Sequence, residues 1–550
     1  MRLVIVGGVA GGVAVAARAR RLSEDAEICL IERGPNVSLV DCGLPYYIGE
    51  TILDRGKLLP TSALQLTERH NLNVRTLSRL EGIDRERKTV RIHNLEGDLT
   101  YDLPYDRLIL AVGAAPARPP LPGVSLPGIE TLHSLEDADR IKARLDSGRR
   151  SVVIVGAGIL GLELAENLSQ RGVKTMLVER QPQILPALDQ EMTTPLLAVL
   201  LTLGVGVRLG QAVQKFEQAP VGLHTILSQG EVLQSDLVLL GTGTWPENQL
   251  AFQAGLAIGP QGGLQVNQFQ QTNDPNIYAI GAACEVDDFV LRRQSRVSLP
   301  GPARRQARVA ADHIFDRRSQ YRGTQGTAIV SVYDRVAAIT GASEKTLQKL
   351  QIPCRSCYVH AEHHASFFPG ARQMTLKLLF SPETGRILGA QAVGWEGTDK
   401  RIDLLSVAIQ TGMTVEHLEE MELACAPQFG SVKDPVNLLG CIASGMRNGD
   451  HPQLPVTSLL NSPADDWPFL LDVRSAREYA AGHLPGAVNI PLRQLRARLD
   501  ELPVREPIVT YCRTGQRGYF ATRILLQSRF EAMNLGGGYL TYRLFRPEFR

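Results

Sequence analysis

Runs of β-branched residues closed by glycines set the grammar of this chain. LVIV at residues 3–6 is uniformly apolar, GGVAGG follows, and alanines recur through VAVAARARRL, which predicts a buried strand, a tight turn and a helix. A second apolar strand, EICLIER, ends in Glu32 with Arg33 beside it. Together these segments have the layout of a βαβ unit that holds a dinucleotide. Glycines let the backbone approach a pyrophosphate at a helix amino terminus, and the acid ending the next strand accepts from a ribose hydroxyl. Gly7 and Gly12 hold the first and third places of GxGxxG; Val9 stands at the second, with Gly8 and Gly11 as neighbours.

The same pattern recurs in SVVIVGAGILGLELAENLSQRGVKTMLVER, where Gly156, Gly158 and Gly161 fit GxGxxG strictly and Glu179 ends the next strand. Two such units predict two dinucleotides. Glu179 disfavours a 2′-phosphate, whereas the adjacent Arg180 is able to pair with one, and the balance points to NADH over NADPH. DRLILAVGAAPARPPLPG, with Gly113, leaves the first unit; DLVLLGTGTWPEN closes the second; NIYAIGAACEV, with Gly281 and Ala282, returns to the first. The first nucleotide domain is therefore expected to be interrupted by the other.

Residues 326–446 alternate strands such as AIVSVYDRVAAITG with helices such as KRIDLLSVAIQTG. A polar, turn-rich linker, GMRNGDHPQLP, precedes a strand and helix alternation sufficient for one small α/β domain. In that last domain Cys512 ends a strand and opens a helix in YCRTGQRG. The N–H groups of residues 513–517 are thus placed to curl around its sulfur as an anion nest. Arg517 adds charge to that pocket or binds a donor anion, whereas Asp472, Arg474 and His483 read as framework.

Composition narrows the rest. The 44% hydrophobic and 21% charged make-up is that of an ordinary globular chain, and a formal charge of +2 gives no reason to expect nucleic acid. The apolar run at the amino terminus breaks into glycines too soon for a secretory or membrane segment, so a cytoplasmic protein is expected. Eight cysteines without regular spacing predict free thiols. Cys354 and Cys357 form the one close pair; no ligand set with metal spacing accompanies them, although His363 and His364 follow, and buried apolar thiols are expected.

In their order along the chain, GGVAGG, ARARRL, CGLPYYIGE, the second glycine loop, HHASFFPGA, APQFGSVKDPVN and a terminal DVR, GHLPGAVNIP, CRTGQR series resemble one family closely. It is that of the coenzyme A disulfide reductases and NADH-dependent persulfide reductases, two-dinucleotide flavoproteins with a fused rhodanese domain. The resemblance implies an α/β architecture with an FAD-binding domain in two parts (1–112 and 246–325), an inserted NAD(P)H-binding domain (113–245), an α+β dimerisation domain (326–446) and a rhodanese domain (455–550).

It further implies that Cys42 is the single redox cysteine beside the flavin, reducing a persulfide, polysulfide or coenzyme A disulfide in a homodimer, with Cys512 as the sulfane-sulfur carrier. Arg18, Arg20, Arg21, Ser38, Asp41, Arg305 and Lys433 fall at places associated with coenzyme A. Three departures accompany the match. Asp41 stands where relatives have asparagine, Ala282 where they have a flavin-binding aspartate, and Phe367, Phe368 and Cys425 where they bring tyrosines to the site across the dimer. Two other readings stay open: a rhodanese on a degraded flavoprotein scaffold, and an NADH oxidase in which Cys42 cycles through sulfenic acid.

Overall fold

The computed structural model describes residues 1–547, so the last three residues of the expected 455–550 domain lie outside the described residues. Two compact units divide the chain, and each is built from segments distant in sequence. Met1–Pro182 and Gly204–Thr324 form the first; Gln183–Leu203 and the chain from Gln325 onward form the second.

Two five-stranded parallel sheets dominate the first unit. In one, the strands run Ile277–Ala279, Arg107–Leu110, Arg2–Val6, Glu27–Ile31, Asn73–Arg75. The late strand 277–279 thus completes a sheet begun at the amino terminus. In the other, the order is Gly206–Leu209, Lys174–Glu179, Ser151–Val155, Leu237–Leu240, Ile129–Thr131. A sheet covered on both faces has no polar side, which is why LVIV and SVVIV read as continuous apolar runs. Leu3, Ile5, Val152, Val153 and Ile154 are accordingly buried. Helix Ala10–Arg20 lies along the first sheet with Val15, Ala16 and Ala19 in the core, where small residues permit close packing against helix Pro300–Ile314.

The second unit holds an antiparallel sheet and a parallel one. The antiparallel sheet runs Ala328–Val332, Arg335–Gly341, Ile387–Gly394, Gln373–Phe380, Arg355–Glu362. The parallel sheet runs Gln453–Leu454, Ala532–Leu535, Ile508–Tyr511, Phe469–Asp472, Val488–Asn489. Segment 183–203 is tied in by charge. The fully buried ammonium of Lys377 lies 2.8 Å from Asp189, 2.6 Å from Glu191 and 2.7 Å from Glu344. Tyr358 donates to Glu191 at 2.8 Å. A buried ammonium is tolerable only when its charge and N–H donors are all met, and three carboxylates meet them here. The terminal helix Gly538–Phe545 joins the same body. Thr194 donates to the Leu544 carbonyl at 2.9 Å, and the Thr541 hydroxyl bonds His360 Nε2 at 2.7 Å.

Candidate active site

Both glycine loops have the geometry of a pyrophosphate cradle. A Cβ on Gly12 would collide with the Gly7 carbonyl, as one on Gly161 would with Gly156, so helix and strand approach too closely for any other residue. The second place of the motif has no such constraint. Val9 sits at φ −93° and Gly158 at φ −74°, so the backbone conformation itself permits a side chain at either. Glu32 accepts the N–H of Gly8 at 2.6 Å and of Gly34 at 2.7 Å. Glu179 repeats this with Ala157 at 2.8 Å and Gln181 at 2.9 Å. A carboxylate has about four lone-pair sites, so each acid shapes its own loop and keeps capacity for a ribose hydroxyl. The residues present therefore fit two dinucleotides.

Beside these cradles, Arg33 pairs with Glu247 at 2.7 and 2.9 Å, whereas Arg180 stays exposed. Gly113 and Gly281 adopt φ +72° and +77°, and the Gly281 N–H donates to Gln306 Oε1 at 2.6 Å, setting the turn that carries Ala282.

Cys42 is exposed, in the short turn Asp41–Gly43 that runs into helix Leu44–Ile48. The turn follows Ser38, which is held at φ +61° by an N–H bond to the Gly8 carbonyl at 2.8 Å. Sequence and glycine loop are thereby coupled: the cysteine segment is pinned to the first cradle. Partial burial raises the thiol pKa above its ordinary value, and the Asp41 carboxylate and then Glu163 raise it further; the Cys42 N–H acts the other way. Asp41 also accepts that N–H at 2.9 Å. The protein's own groups around Cys42 thus favour thiol over thiolate.

Glu163 is the residue that the sequence reading missed. It lies on helix Ile159–Gln170, just beyond the second glycine loop. Burial, then Glu166 and more weakly Asp41, push its carboxyl up to about 7, against a hydrogen bond from Tyr46. An acid within the apolar run ILGLELA was the available signal, but nothing local says that it faces a cysteine more than a hundred residues earlier.

Of the arginines assigned to phosphates, Arg20 requires a correction. Its guanidinium turns inward and spends all five N–H donors on carbonyls of Ser23, Glu24, Ala26, His70 and Asn71, at 2.6 to 3.0 Å. No donor remains for a ligand; Arg20 closes the end of its helix against the 70–71 turn. Arg18 is held by Asp312 at 2.6 Å. Arg21 and Arg305 are exposed, Arg305 beside the Tyr321 hydroxyl.

In the second unit, Cys512 is buried at the base of its loop, with the Gly515 N–H 3.2 Å from the sulfur. Asn534 clamps the Gly515 carbonyl at 3.0 Å, and His451 Nε2 accepts from Asn534 at 2.9 Å. Tyr539 and Leu540 donate to the carbonyls of Cys512 and Arg513 at 2.8 and 2.9 Å. The carbonyls are thus bonded away from the sulfur while the Gly515 N–H points at it. Arg517 faces Cys512 but forms a two-point pair with Glu478 at 2.6 and 2.9 Å. Asp472 and Arg474 pair in the interior at 2.6 Å, a framework role, and His483 stacks on Tyr479. Phe367, Cys425 and Lys433 are exposed and Phe368 is half-buried. Cys357 is buried with its thiol pKa raised by burial, and burial likewise puts Cys354 at about 11, so both remain unreactive thiols near neutral pH.

Family models match three stretches. Residues 1–311 match the pyridine nucleotide-disulphide oxidoreductases, 327–434 the dimerisation domain of that group, and 456–543 the rhodanese-like domain. A coenzyme A disulfide reductase from Staphylococcus epidermidis is 31% identical over 442 residues, covering 80% of this chain and 99% of that protein. Among solved structures, reduced CoADR-RHD from Bacillus anthracis is similar at TM-score 0.97 and 40% identity, covering 99% of this chain and 98% of the other. A NAD-dependent persulfide reductase from A. fulgidus is similar at TM-score 0.92 and 34% identity, with 98% and 100% covered.

Proposed function

Because this chain belongs to the pyridine nucleotide-disulphide oxidoreductases and carries a rhodanese-like domain, we propose that it reduces persulfides or small disulfides at Cys42 and moves sulfane sulfur through Cys512. The family's cofactors are FAD and a nicotinamide dinucleotide, which supply a pair of electrons at Cys42 when bound. We assign FAD to the loop of Gly7, Gly8, Gly11, Gly12 and Glu32, with Gly113, Gly281 and Ala282, and NADH to that of Gly156, Gly158, Gly161 and Glu179. The corresponding domain spans are 1–112 with 246–325, 113–245, 326–446 and 455–550. The observation that carries the reading is an accessible cysteine on a turn pinned to the first cradle.

Cys42 thiolate attacks R–S–S–R′, forms a bond to one sulfur and expels the other as R′S⁻; two electrons then restore the thiolate and release RS⁻. For a persulfide, attack at the inner sulfur expels hydrosulfide, and attack at the outer sulfur expels a thiol. Asp41 and Glu163 surround this cysteine with carboxyl groups, and Glu163, titrating near neutrality, is suited to hold a proton for the departing sulfur.

Exposed Arg21 and Arg305, with Ser38 and Lys433, are assigned to an anionic carrier such as coenzyme A. A homodimer is proposed from the dimerisation-domain match and from outward-facing Phe367, Phe429 and Val432 in that region. Among the described residues no helix is long and apolar enough to cross a membrane, which accords with the proposed cytoplasmic location.

The test is an anaerobic NADH titration of the purified protein, followed by coenzyme A persulfide, glutathione persulfide, polysulfide and coenzyme A disulfide in turn. Cys42→Ser is expected to abolish reoxidation by all four, and Cys512→Ala to spare it with soluble persulfides. Colourless protein that leaves NADH untouched would reduce the working machinery to the rhodanese module.

A further inference from the structure

The first sheet has a cleft at the edge where its strands begin, opposite the glycine loop. Strands Arg107–Leu110 and Ile277–Ala279 start there, whereas the loop of Gly7 to Gly12 follows the carboxyl end of strand Arg2–Val6, the end at which an open parallel sheet binds a dinucleotide. The cleft has a volume of about 850 Å³, room for a ligand of nucleotide size, and Arg107, Arg317, Arg318 and Arg322 line it. One side is a fixed wall. His313, in the last turn of helix Pro300–Ile314, stacks on Phe269 with ring centres 4.4 Å apart, and its Nδ1 bonds the Tyr278 hydroxyl at 2.9 Å.

The charge of this lining is left uncompensated by the protein. Arg107 donates to the Asp106 carbonyl and to Asn276 Oδ1, at 2.9 and 2.8 Å, both uncharged partners. Arg317, Arg318 and Arg322 are exposed and form no ion pair among the described residues. Elsewhere in the same unit Arg2, Arg18, Arg33 and Arg85 each meet a carboxylate within 3.2 Å. Among the described residues the cleft holds four guanidiniums and one carboxylate, that of Asp316, an excess of three positive charges. From this concentration of unpaired guanidiniums in a formed cleft we infer a binding site for a linear polyphosphate, free or carried on a nucleoside, separate from both dinucleotide cradles. Phosphate oxygens match the planar fork of arginine two at a time, and arginine keeps its charge at every working pH. A chain of phosphates offsets the excess, whereas a lone carboxylate leaves most of it unopposed. The inference goes beyond the chemistry assigned to Cys42 and Cys512 and depends on neither.

Isothermal titration calorimetry on the FAD-loaded, full-length protein tests it, with NAD⁺ and coenzyme A at saturation so that the sites assigned to them are filled. The probes are tripolyphosphate and ATP, without magnesium. One site per chain is expected for each. Tighter binding of ATP would identify the carrier as a nucleotide; ATP binding no tighter than tripolyphosphate would assign the phosphate chain alone. Arg318→Gln combined with Arg322→Gln should weaken both about a hundredfold, each lost charge-assisted contact contributing about tenfold. Arg493→Gln with Arg496→Gln removes the same charge from exposed positions in the carboxyl-terminal domain and should leave the affinity unchanged. Without ligand, the Arg318 and Arg322 double variant should melt no lower than wild type, since relieving repulsion between like charges costs no stability. Absence of saturable binding, binding only when coenzyme A is left out, or an equal loss in both double variants would overturn the inference. Lost binding together with a lowered melting temperature would assign these arginines to bracing their loop and overturn it as well.

Discussion

Cys42 and Cys512 are both single thiols at the start of a helix, yet their surroundings point in opposite directions. Cys512 is buried, receives a backbone N–H and has its loop carbonyls drawn away by Asn534, Tyr539 and Leu540. Cys42 lies in an exposed turn, and partial burial of its thiol, then the Asp41 and Glu163 carboxyl groups, raise its pKa. Backbone hydrogen bonds organise the loop around the second sulfur, whereas partial burial and nearby carboxyl groups raise the pKa of the first.

The largest effect should come from distorting the prepared site. A Cβ on Gly538, at φ +64°, would stand 2.5 Å from the Cys512 carbonyl and 2.9 Å from the Gly515 nitrogen. Gly538→Ala should lower sulfur transfer by about 10²-fold or more through strain at that φ, with NADH-dependent reduction at Cys42 retained. Parallel assays of the two activities check this, and equal loss of both would erase the contrast.

Acid should separate the stations next. Burial first, and Arg513 and Arg523 respectively after it, hold His360 and His451 down at about 4. Their unfolded-state value is about 6.5. Below that pH the unfolded chain binds protons that the folded one does not, so stability falls from about pH 6.5 until the folded groups titrate near 4, by at most roughly 3 kcal/mol per histidine. Cys512 chemistry should fail before Cys42 chemistry as pH drops through this window. Denaturant melts at stepped pH, with His360→Asn as the comparison, measure it; a melt independent of pH between 6.5 and 4 would contradict the assignment.

Smaller effects sharpen the picture at Cys42. Asp41→Asn should lower its thiol pKa, and Glu163→Gln should lower it by less, since each removes a nearby negative charge and Asp41 is the larger of the two contributions. The rate of alkylation against pH reports both. An unchanged or raised pKa in Asp41→Asn would mean that the carboxylate's bond to the Cys42 N–H outweighs its charge.

What the sequence revealed, and what it hid, follows from the range of the interactions. The glycine loops and the strand-ending Glu32 and Glu179 depend on neighbours within one supersecondary unit and their spacing revealed them, whereas of the N–H groups 513–517 expected around Cys512 the one bonded to the sulfur is that of Gly515. Arg20 was misjudged because three of its five carbonyl partners lie outside its own helix end, two of them on the 70–71 turn, and helical periodicity does not report such contacts. Glu163 and the Glu478–Arg517 pair were hidden for the same reason: each meets its partner through folding between distant segments. The displaced second glycine was legible as a departure, and the negative φ of Val9 and Gly158 shows that the backbone there does not itself demand glycine.

The path of the chain has a practical corollary at Lys377. Two of the three carboxylates around its ammonium, Asp189 and Glu191, come from a short excursion that the polypeptide makes before returning to the amino-terminal half. A fragment beginning at Gln325 would keep the cation and lose those two anions. Severing the gene there should give an insoluble or proteolysed carboxyl-terminal piece, and supplying residues 183–203 as a separate peptide is the natural way to attempt its rescue.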